Sequence, residues 1–163
     1  MNYHLLRKLS KNNIIIIEGD NMKIGMACDH GGYKLKEKIK KYLQAIGNEV
    51  IDYGTDSLES VDYPDFAHKL CDGINDKSVD FGIAICSTGI GISIACNKVK
   101  GIRCAKVSSI KEAKLTRLDN DANCLALNGG MPTYLAKDIV DTFMNTEFSN
   151  LERHKRRIGK LEQ

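Results

Sequence analysis

The segment most able to do chemistry is Cys-Ser-Thr-Gly-Ile-Gly-Ile-Ser at residues 86–93, where an apolar run ends in a thiol, hydroxyls and glycines. The residues after Gly89 have the pattern of a helix start, so unpaired backbone N–H groups and the helix dipole favour negative charge near Cys86. The same field favours thiolate over thiol. A thiolate here can act as a nucleophile or as a general base, and the loop sequence leaves both roles open.

The glycines of this loop do not fit two common nucleotide-binding motifs. A dinucleotide fingerprint needs a third glycine, but Ile94 occupies that place. A P-loop needs Gly-Lys-Ser or Gly-Lys-Thr, which the segment lacks. The loop also has no arginine of the kind that closes a cysteine phosphatase loop, so a cation for a phosphate must come from elsewhere in the chain.

Composition sets broad limits on the class of protein. A chain of 163 residues with 42% hydrophobic residues fits one domain. The six cysteines form no C-x-x-C pair, and we interpret most of them as inert core thiols of a cytoplasmic protein, with no metal site and no cofactor. The net charge of +3 is modest and its excess is at the C-terminus, which does not indicate general nucleic-acid binding.

The first 21 residues differ from the rest of the chain. Their apolar run, residues 14–17, is far too short to span a membrane. We expect an N-terminal extension that is disordered or loosely docked, with a targeting leader or an additional edge strand as alternatives. Residues 22–163 are predicted to form the functional domain, which ends in a basic helix.

From residue 23 onward, strand-like and helix-like patterns alternate. The strands are predicted at residues 23–28, 49–53, 80–86, 102–107 and 123–127, and the later helices at 63–76, 89–98, 108–119 and 132–145. In the first helix an apolar stripe faces the core, and the lysines at 34, 36, 38 and 41 cover the remaining surface. Five strands joined by helices predict an α/β fold, a parallel sheet covered on both faces.

Ligands of such sheets bind at the carboxyl ends of the strands, so the polar residues near strand ends are candidates. Each also has a structural interpretation: Asp29-His30 as a helix cap, Asp62-Tyr63-Pro64 as a helix entry, and residues 119–123 as a turn. Arg153 and Arg157 lie one helical turn apart, which is typical of a solvated face.

A set of separated motifs extends over residues 22–157, in order and without large gaps. The motifs are Cys28-Asp29-His30-Gly31-Gly32, Asp62-Tyr63-Pro64, Cys86-Ser87-Thr88-Gly89-Ile90-Gly91-Ile92-Ser93-Ile94-Ala95, Asn97-Lys98, Gly101-Ile102-Arg103, Asn120-Asp121-Ala122-Asn123 and Arg153-His154. Together they resemble the ribose-5-phosphate isomerase B family, whose relatives include the galactose-6-phosphate isomerase subunits.

The resemblance implies a Rossmann-like three-layer sandwich and metal-free interconversion of aldose and ketose phosphates through an enediolate. It also implies a homodimer whose active sites lie between subunits, with further association into a tetramer left open. Proton transfer between C1 and C2 needs a base, and Cys86 is placed for it. The Thr88 hydroxyl and the amides of the loop could stabilise the developing oxyanion; the amides are those of Ser87, Thr88, Gly89, Ile90 and Gly91.

The resemblance also assigns the residues that contact the sugar phosphate. Asp29 and His30 contact the sugar, and Tyr63 forms the pocket wall. Asn120 binds a sugar hydroxyl from the partner subunit. The phosphate clamp consists of Arg153, His154 and Arg157, in keeping with bidentate guanidinium recognition.

Three residues depart from the family pattern. Ser87 stands where glycine is usual, and Gly130 replaces an arginine that commonly follows strand five. Asp119, a catalytic candidate, replaces the histidine that opens the sugar ring. An ionised carboxylate can accept a proton but cannot donate one, so ring opening should be slower unless His30 or Asp29 supplies the proton.

The resemblance favours the isomerisation of ribose 5-phosphate and ribulose 5-phosphate, a reaction of the non-oxidative pentose phosphate pathway. One alternative is the same reaction on galactose 6-phosphate, allose 6-phosphate or erythrose 4-phosphate. Another is a noncatalytic phosphosugar-binding subunit, an idea that Cys86, Thr88 and Asp29 oppose and that Asp119 and Gly130 favour.

Overall fold

The computed structural model describes residues 7–9, 15–17 and 21–162 of the chain. Strands β1 (Arg7–Leu9) and β2 (Ile15–Ile17) pair antiparallel, and within the described residues neither joins the larger sheet. The rest of the N-terminal extension lies outside the described residues, so the predicted boundary at residue 22 stays a prediction.

The larger sheet has five parallel strands in the order β4-β3-β5-β7-β6, which confirms the predicted α/β fold. Its strands are β3 (Lys23–Cys28), β4 (Glu49–Asp52), β5 (Phe81–Cys86), β6 (Cys104–Lys106) and β7 (Cys124–Asn128). The central strands β3, β5 and β7 are almost entirely buried because helices cover both faces.

The described residues contain six helices: α1 (Tyr33–Ala45), α2 (Tyr63–Asn75), α3 (Ile90–Asn97), α4 (Ile110–Asn120), α5 (Thr133–Met144) and α6 (Glu152–Leu161). Two separate hydrophobic clusters fill the space between the helices and the sheet. Helices α1, α4 and α5 contribute to one cluster, and α2 and α3 contribute to the other. The fold is therefore a three-layer sandwich, as predicted. None of these helices has both the length and the apolar character that crossing a bilayer requires.

Strand β6 is shorter than the predicted strand at residues 102–107. The N–H of Ile102 donates to the Val99 carbonyl in a turn, and the N–H of Arg103 donates to the Asn123 side chain at 2.9 Å. Both donors are therefore used before the strand ladder begins at Cys104. Helix α4 also starts later than predicted, because Ser109 caps it by accepting the N–H of Glu112.

One lysine of the first helix is not on the solvated surface that the sequence predicted. Lys36 is only 1% exposed, and its Nζ donates to both carboxylate oxygens of Asp52, at 3.0 and 2.7 Å, and to the Thr55 carbonyl. Burial alone would raise the pKa of Asp52, but hydrogen bonds from Lys36 and Lys40 outweigh it and lower that pKa. The pair ties α1 to the end of β4.

Candidate active site

Several of the predicted site residues meet at the carboxyl edge of the sheet. Strand β5 lies between β3 and β7, and Cys86 at its end pairs in register with Asn128 at the end of β7. On the other side, the N–H of Asp29 donates to the Ile85 carbonyl at 3.3 Å. The turn after β3 and the loop after β5 are thus neighbours, as predicted for the carboxyl ends of adjacent parallel strands.

The loop after β5 is folded around the sulfur of Cys86. The N–H of Gly89 donates to Cys86 Sγ at 3.1 Å, and the N–H of Ile90 donates to Thr88 Oγ1 at 3.2 Å. Gly89 has a φ of 75°, and a Cβ there would lie 2.8 Å from the carbonyl carbon of Leu127. Only glycine fits this position, so the glycine itself holds the loop against β7 and sets where the sulfur lies.

The turn after β3 packs directly on this loop. The carboxylate of buried Asp29 accepts the N–H of Gly32 at 3.0 Å, which closes the turn before α1; the N-cap of that helix is Gly32, so Asp29 is not its cap. A Cβ on Gly31 would lie 2.0 Å from the Ser87 hydroxyl oxygen, so the two segments touch. His30 Nδ1 accepts the N–H of Val61 at 3.3 Å, which leaves Nε2 to carry the hydrogen of the neutral ring.

Tyr63 lies beside the start of helix α3. A Cβ on Gly91 would approach the Tyr63 ring carbon Cζ to 2.8 Å, so the ring packs on the glycine backbone. Ile90, next in the chain before Gly91, is half exposed. The ring is therefore positioned beside the loop, where the predicted pocket wall would be.

The remaining predicted residues lie at the opposite edge of the sheet. Helix α4 ends at Asn120, just before β7 begins at Cys124, whereas Cys86 is level with the far end of β7. Five residues of strand separate these two levels by about 13 Å. Asp119 and Asn120 of one chain are therefore not brought to the Cys86 of the same chain.

Helix α6 adds basic residues to this second group. His154 is buried, and its Nε2 lies 3.5 Å from Asp119 Oδ1 and accepts the Nε–H of Arg153 at 3.1 Å. Arg157 follows one helical turn after Arg153 and is exposed. The contact between Asp119 and His154 was not predicted, because the two residues are far apart in the sequence.

Two residues to which no site role was assigned from the sequence help to shape these groups. Asn128 on β7 is the register partner of Cys86 on β5, and its side chain accepts the N–H of Gly130 at 2.7 Å. Arg103 donates to the Asn120 carbonyl at 3.0 Å and forms an ion pair with Glu162 at 2.8 Å. The sequence signal for Asn128 was its place directly after strand five; Arg103 was visible only as part of a motif.

The chain is similar in sequence to a known family of sugar-phosphate isomerases. The sequence model described as Ribose/Galactose Isomerase matches residues 24–161. Ribose-5-phosphate isomerase B of Escherichia coli is 43% identical over 140 residues, which cover 85% of this chain and 93% of that protein.

Two solved structures are also similar to the chain. The crystal structure of a ribose 5-phosphate isomerase from Thermotoga maritima has a TM-score of 0.85 and 48% identity, covering 86% of this chain and 97% of that one. The ribose-5-phosphate isomerase B of Clostridium thermocellum has a TM-score of 0.84 and 50% identity, covering 86% of this chain and 95% of that one.

Proposed function

Because this chain belongs to the ribose/galactose isomerase family, we propose that it interconverts ribose 5-phosphate and ribulose 5-phosphate with Cys86 as the base. The observation that carries the proposal is the hydrogen bond from the Gly89 N–H to Cys86 Sγ, at a strand end beside Asp29. The family description names both ribose and galactose, so the choice of ribose 5-phosphate as the substrate is itself proposed.

The proposed reaction begins on the open-chain aldose. The Cys86 thiolate removes the proton from C2, the electrons of that C–H bond form the C1–C2 double bond, and the C1 carbonyl oxygen becomes an enediolate oxygen. Return of a proton to C1, with loss of the proton on O2, gives the ketose. A positioned base of this kind contributes about 10²–10⁴-fold to the rate.

The loop supplies donors for the enediolate oxygen. The N–H groups of Gly89 and Ile90 are already used inside the loop, so they are less suited to this role than the sequence suggested. The proposed donors are the amides of Ser87, Thr88 and Gly91, together with the Thr88 hydroxyl, which can donate while its oxygen accepts from Ile90.

A second copy of the chain would complete the site. Asp119, Asn120, Arg153 and Arg157 lie at the edge away from Cys86, so a shared site in a homodimer is the arrangement that can unite them. The exposed surface of α3 supports this proposal. Ile90 and Ile94 lie one helical turn apart beside the loop and are 54% and 55% exposed, an apolar surface that a partner would cover.

Asp119 and His154 together could replace a ring-opening histidine. Nε2 of His154 cannot accept the N–H of Arg153 and donate to Asp119 at once, because a ring nitrogen either carries a hydrogen or offers its lone pair. Nε2 therefore either accepts the Arg153 N–H or donates to Asp119. In the proposed reaction, Asp119 accepts the proton of the anomeric hydroxyl, and His154 with its hydrogen on Nε2 is the donor beside it.

The test is an assay of the purified protein against a panel of aldose phosphates, with the Cys86→Ala variant as the control. We expect the highest kcat/KM with ribose 5-phosphate. A higher value with galactose 6-phosphate, allose 6-phosphate or erythrose 4-phosphate would overturn the choice of sugar. Binding of a phosphosugar by calorimetry without turnover of any sugar would favour the noncatalytic subunit.

A further inference from the structure

Three cysteine sulfurs meet on the side of the sheet that α2 and α3 cover. Cys96 lies in the last turn of α3, and Cys104 and Cys124 begin β6 and β7 directly opposite each other. The three Sγ atoms all lie within 4.8 Å of one another. From the sequence we expected inert core thiols and no metal site, because the cysteines form no C-x-x-C pair; these three are spread over 29 positions of the chain.

We propose that Cys96, Cys104 and Cys124 bind one thiophilic metal cation with a filled d shell, copper(I) or zinc(II). Soft thiolate ligands select these cations over magnesium, calcium or manganese. With metal–sulfur bonds of about 2.3 Å, three sulfurs around one ion stand about 4 Å apart. The observed spacing therefore requires only small inward shifts of the side chains.

A cavity lies beside one member of the cluster. It has a volume of about 430 Å³, and its lining includes Cys104, Asn97, Thr116 and Asn120. Cys96 and Cys124 are fully buried and are not among its lining residues. The cavity could also hold a water molecule as the fourth ligand that zinc prefers.

Asn97 fixes the position of Cys104. Its Oδ1 accepts the Cys104 N–H and its Nδ2 donates to the Cys104 carbonyl, both at 2.8 Å. This two-point contact holds the backbone of Cys104 in place, so its sulfur can be oriented by a residue that does not itself bind the metal.

Cysteine binds metal ions as the thiolate. Binding must release the protons of the thiols, so the affinity should fall as the pH falls.

The site is separate from the proposed catalytic loop. Cys96 is six residues after Ile90, which places it about 9 Å along α3 from the start of that helix. Asn120 lines the cavity and is also a proposed substrate contact. Isomerase activity is therefore a poor measure of occupancy, and direct measures of metal binding are needed.

The experiment titrates the reduced, metal-free full chain with copper(I) under anaerobic conditions, and in a second arm with zinc(II), each against a competing chelator. We expect one cation per chain by native mass spectrometry, with a thiolate-to-copper absorption band in the copper arm. Bound metal should slow the alkylation of Cys104, the one cysteine of the three that is not fully buried.

Cys104→Ser is the decisive variant because Cys104 is the one cysteine of the three among the residues that line the cavity. We expect it to lower the affinity at least tenfold, whereas Cys28→Ser, a buried cysteine of the other hydrophobic cluster, should keep one cation per chain. Circular dichroism checks that both variants fold. If Cys104→Ser does not fold, Cys104→Ala takes its place. The proposal is wrong if neither cation binds the parent protein or if the loss of Cys104 leaves the affinity unchanged.

Discussion

The two edges of the sheet hold their candidate groups in different ways. At the carboxyl edge, backbone contacts fix the site: the Gly89 N–H meets the Cys86 sulfur, and the Asp29 turn touches the loop at Gly31. At the amino edge, side chains hold one another, as Arg103 holds the Asn120 carbonyl and His154 lies beside Asp119. The first arrangement is held by backbone contacts within one chain, and the second leaves Asn120 and Arg157 exposed at the surface.

This difference separates two kinds of chemical task. Proton abstraction needs a base held to within a fraction of an ångström, which a close-packed loop provides. Recognition of a phosphate and of the sugar ring depends on charge and on the reach of long side chains, which a helix end provides. Variants at the two edges should therefore fail in different kinetic parameters.

The largest effect is expected at the carboxyl edge. Cys86→Ala removes the proposed base and should lower kcat by about 10²–10⁴-fold with the fold unchanged. The measurement is the steady-state rate on ribose 5-phosphate, with Cys28→Ser as a control that keeps the catalytic loop intact. Comparable turnover by Cys86→Ala would remove this residue from the chemistry.

Mixing variants of the two edges tests whether two chains share a site. At substrate concentrations below the KM of the parent protein, Cys86→Ala and Arg157→Ala should each be weak alone, but after joint refolding a mixed dimer has one site with both halves intact. Random pairing should then restore about a quarter of the parent activity, because half the dimers are mixed and each has one good site of two. No recovery, with mixed dimers verified by mass spectrometry, would contradict a shared site.

A substitution at the amino edge should weaken substrate binding. Arg157→Ala removes a proposed charge-assisted contact to the substrate phosphate, worth about 1.5–3 kcal/mol, which corresponds to a rise in KM of about 10- to 150-fold. The neighbouring exposed Arg156→Ala is the matched control and should change KM little. If inorganic phosphate does not compete with substrate in the parent protein, the phosphate clamp is misassigned.

The smallest effect concerns Asp119. Erythrose 4-phosphate cannot close a ring of the ribose type because its O4 carries the phosphate, so the parent enzyme should be relatively better with it. Asp119→His should raise kcat/KM for ribose 5-phosphate about threefold to tenfold, a small share of the gain from a general acid, and leave erythrose 4-phosphate unchanged. An unchanged ratio of the two activities would mean that Asp119 has no part in ring opening.

The sequence predicted most of what depends on local pattern. The strand ends, the loop of Cys86 and the adjacent Asp29 turn follow from alternation and from glycine positions, because parallel strands present their carboxyl ends together. Contacts between distant segments were not predictable in this way. His154 reaches Asp119 across 35 positions, and the three sulfurs gather from separate elements, since only the packing of α3 against β6 and β7 decides their spacing.

The burial of Lys36 is another contact between distant segments that the sequence pattern did not predict. On a helical wheel it belongs to a run of lysines on the polar face, yet its ammonium reaches the end of β4 and is enclosed there. A periodic pattern assigns a face to each residue, but it does not include a carboxylate on a neighbouring strand that can pair with a buried charge.

That ion pair also couples folding to the binding of protons. The pKa of Asp52 is lower in the folded chain than in the unfolded chain, so the unfolded chain binds more protons in the acid range. The stabilisation is complete above the unfolded value of about 3.9 and is lost as the pH falls towards the folded value. Urea unfolding at several acidic pH values should therefore show a shallower fall in the free energy of unfolding for Asp52→Asn than for the parent protein.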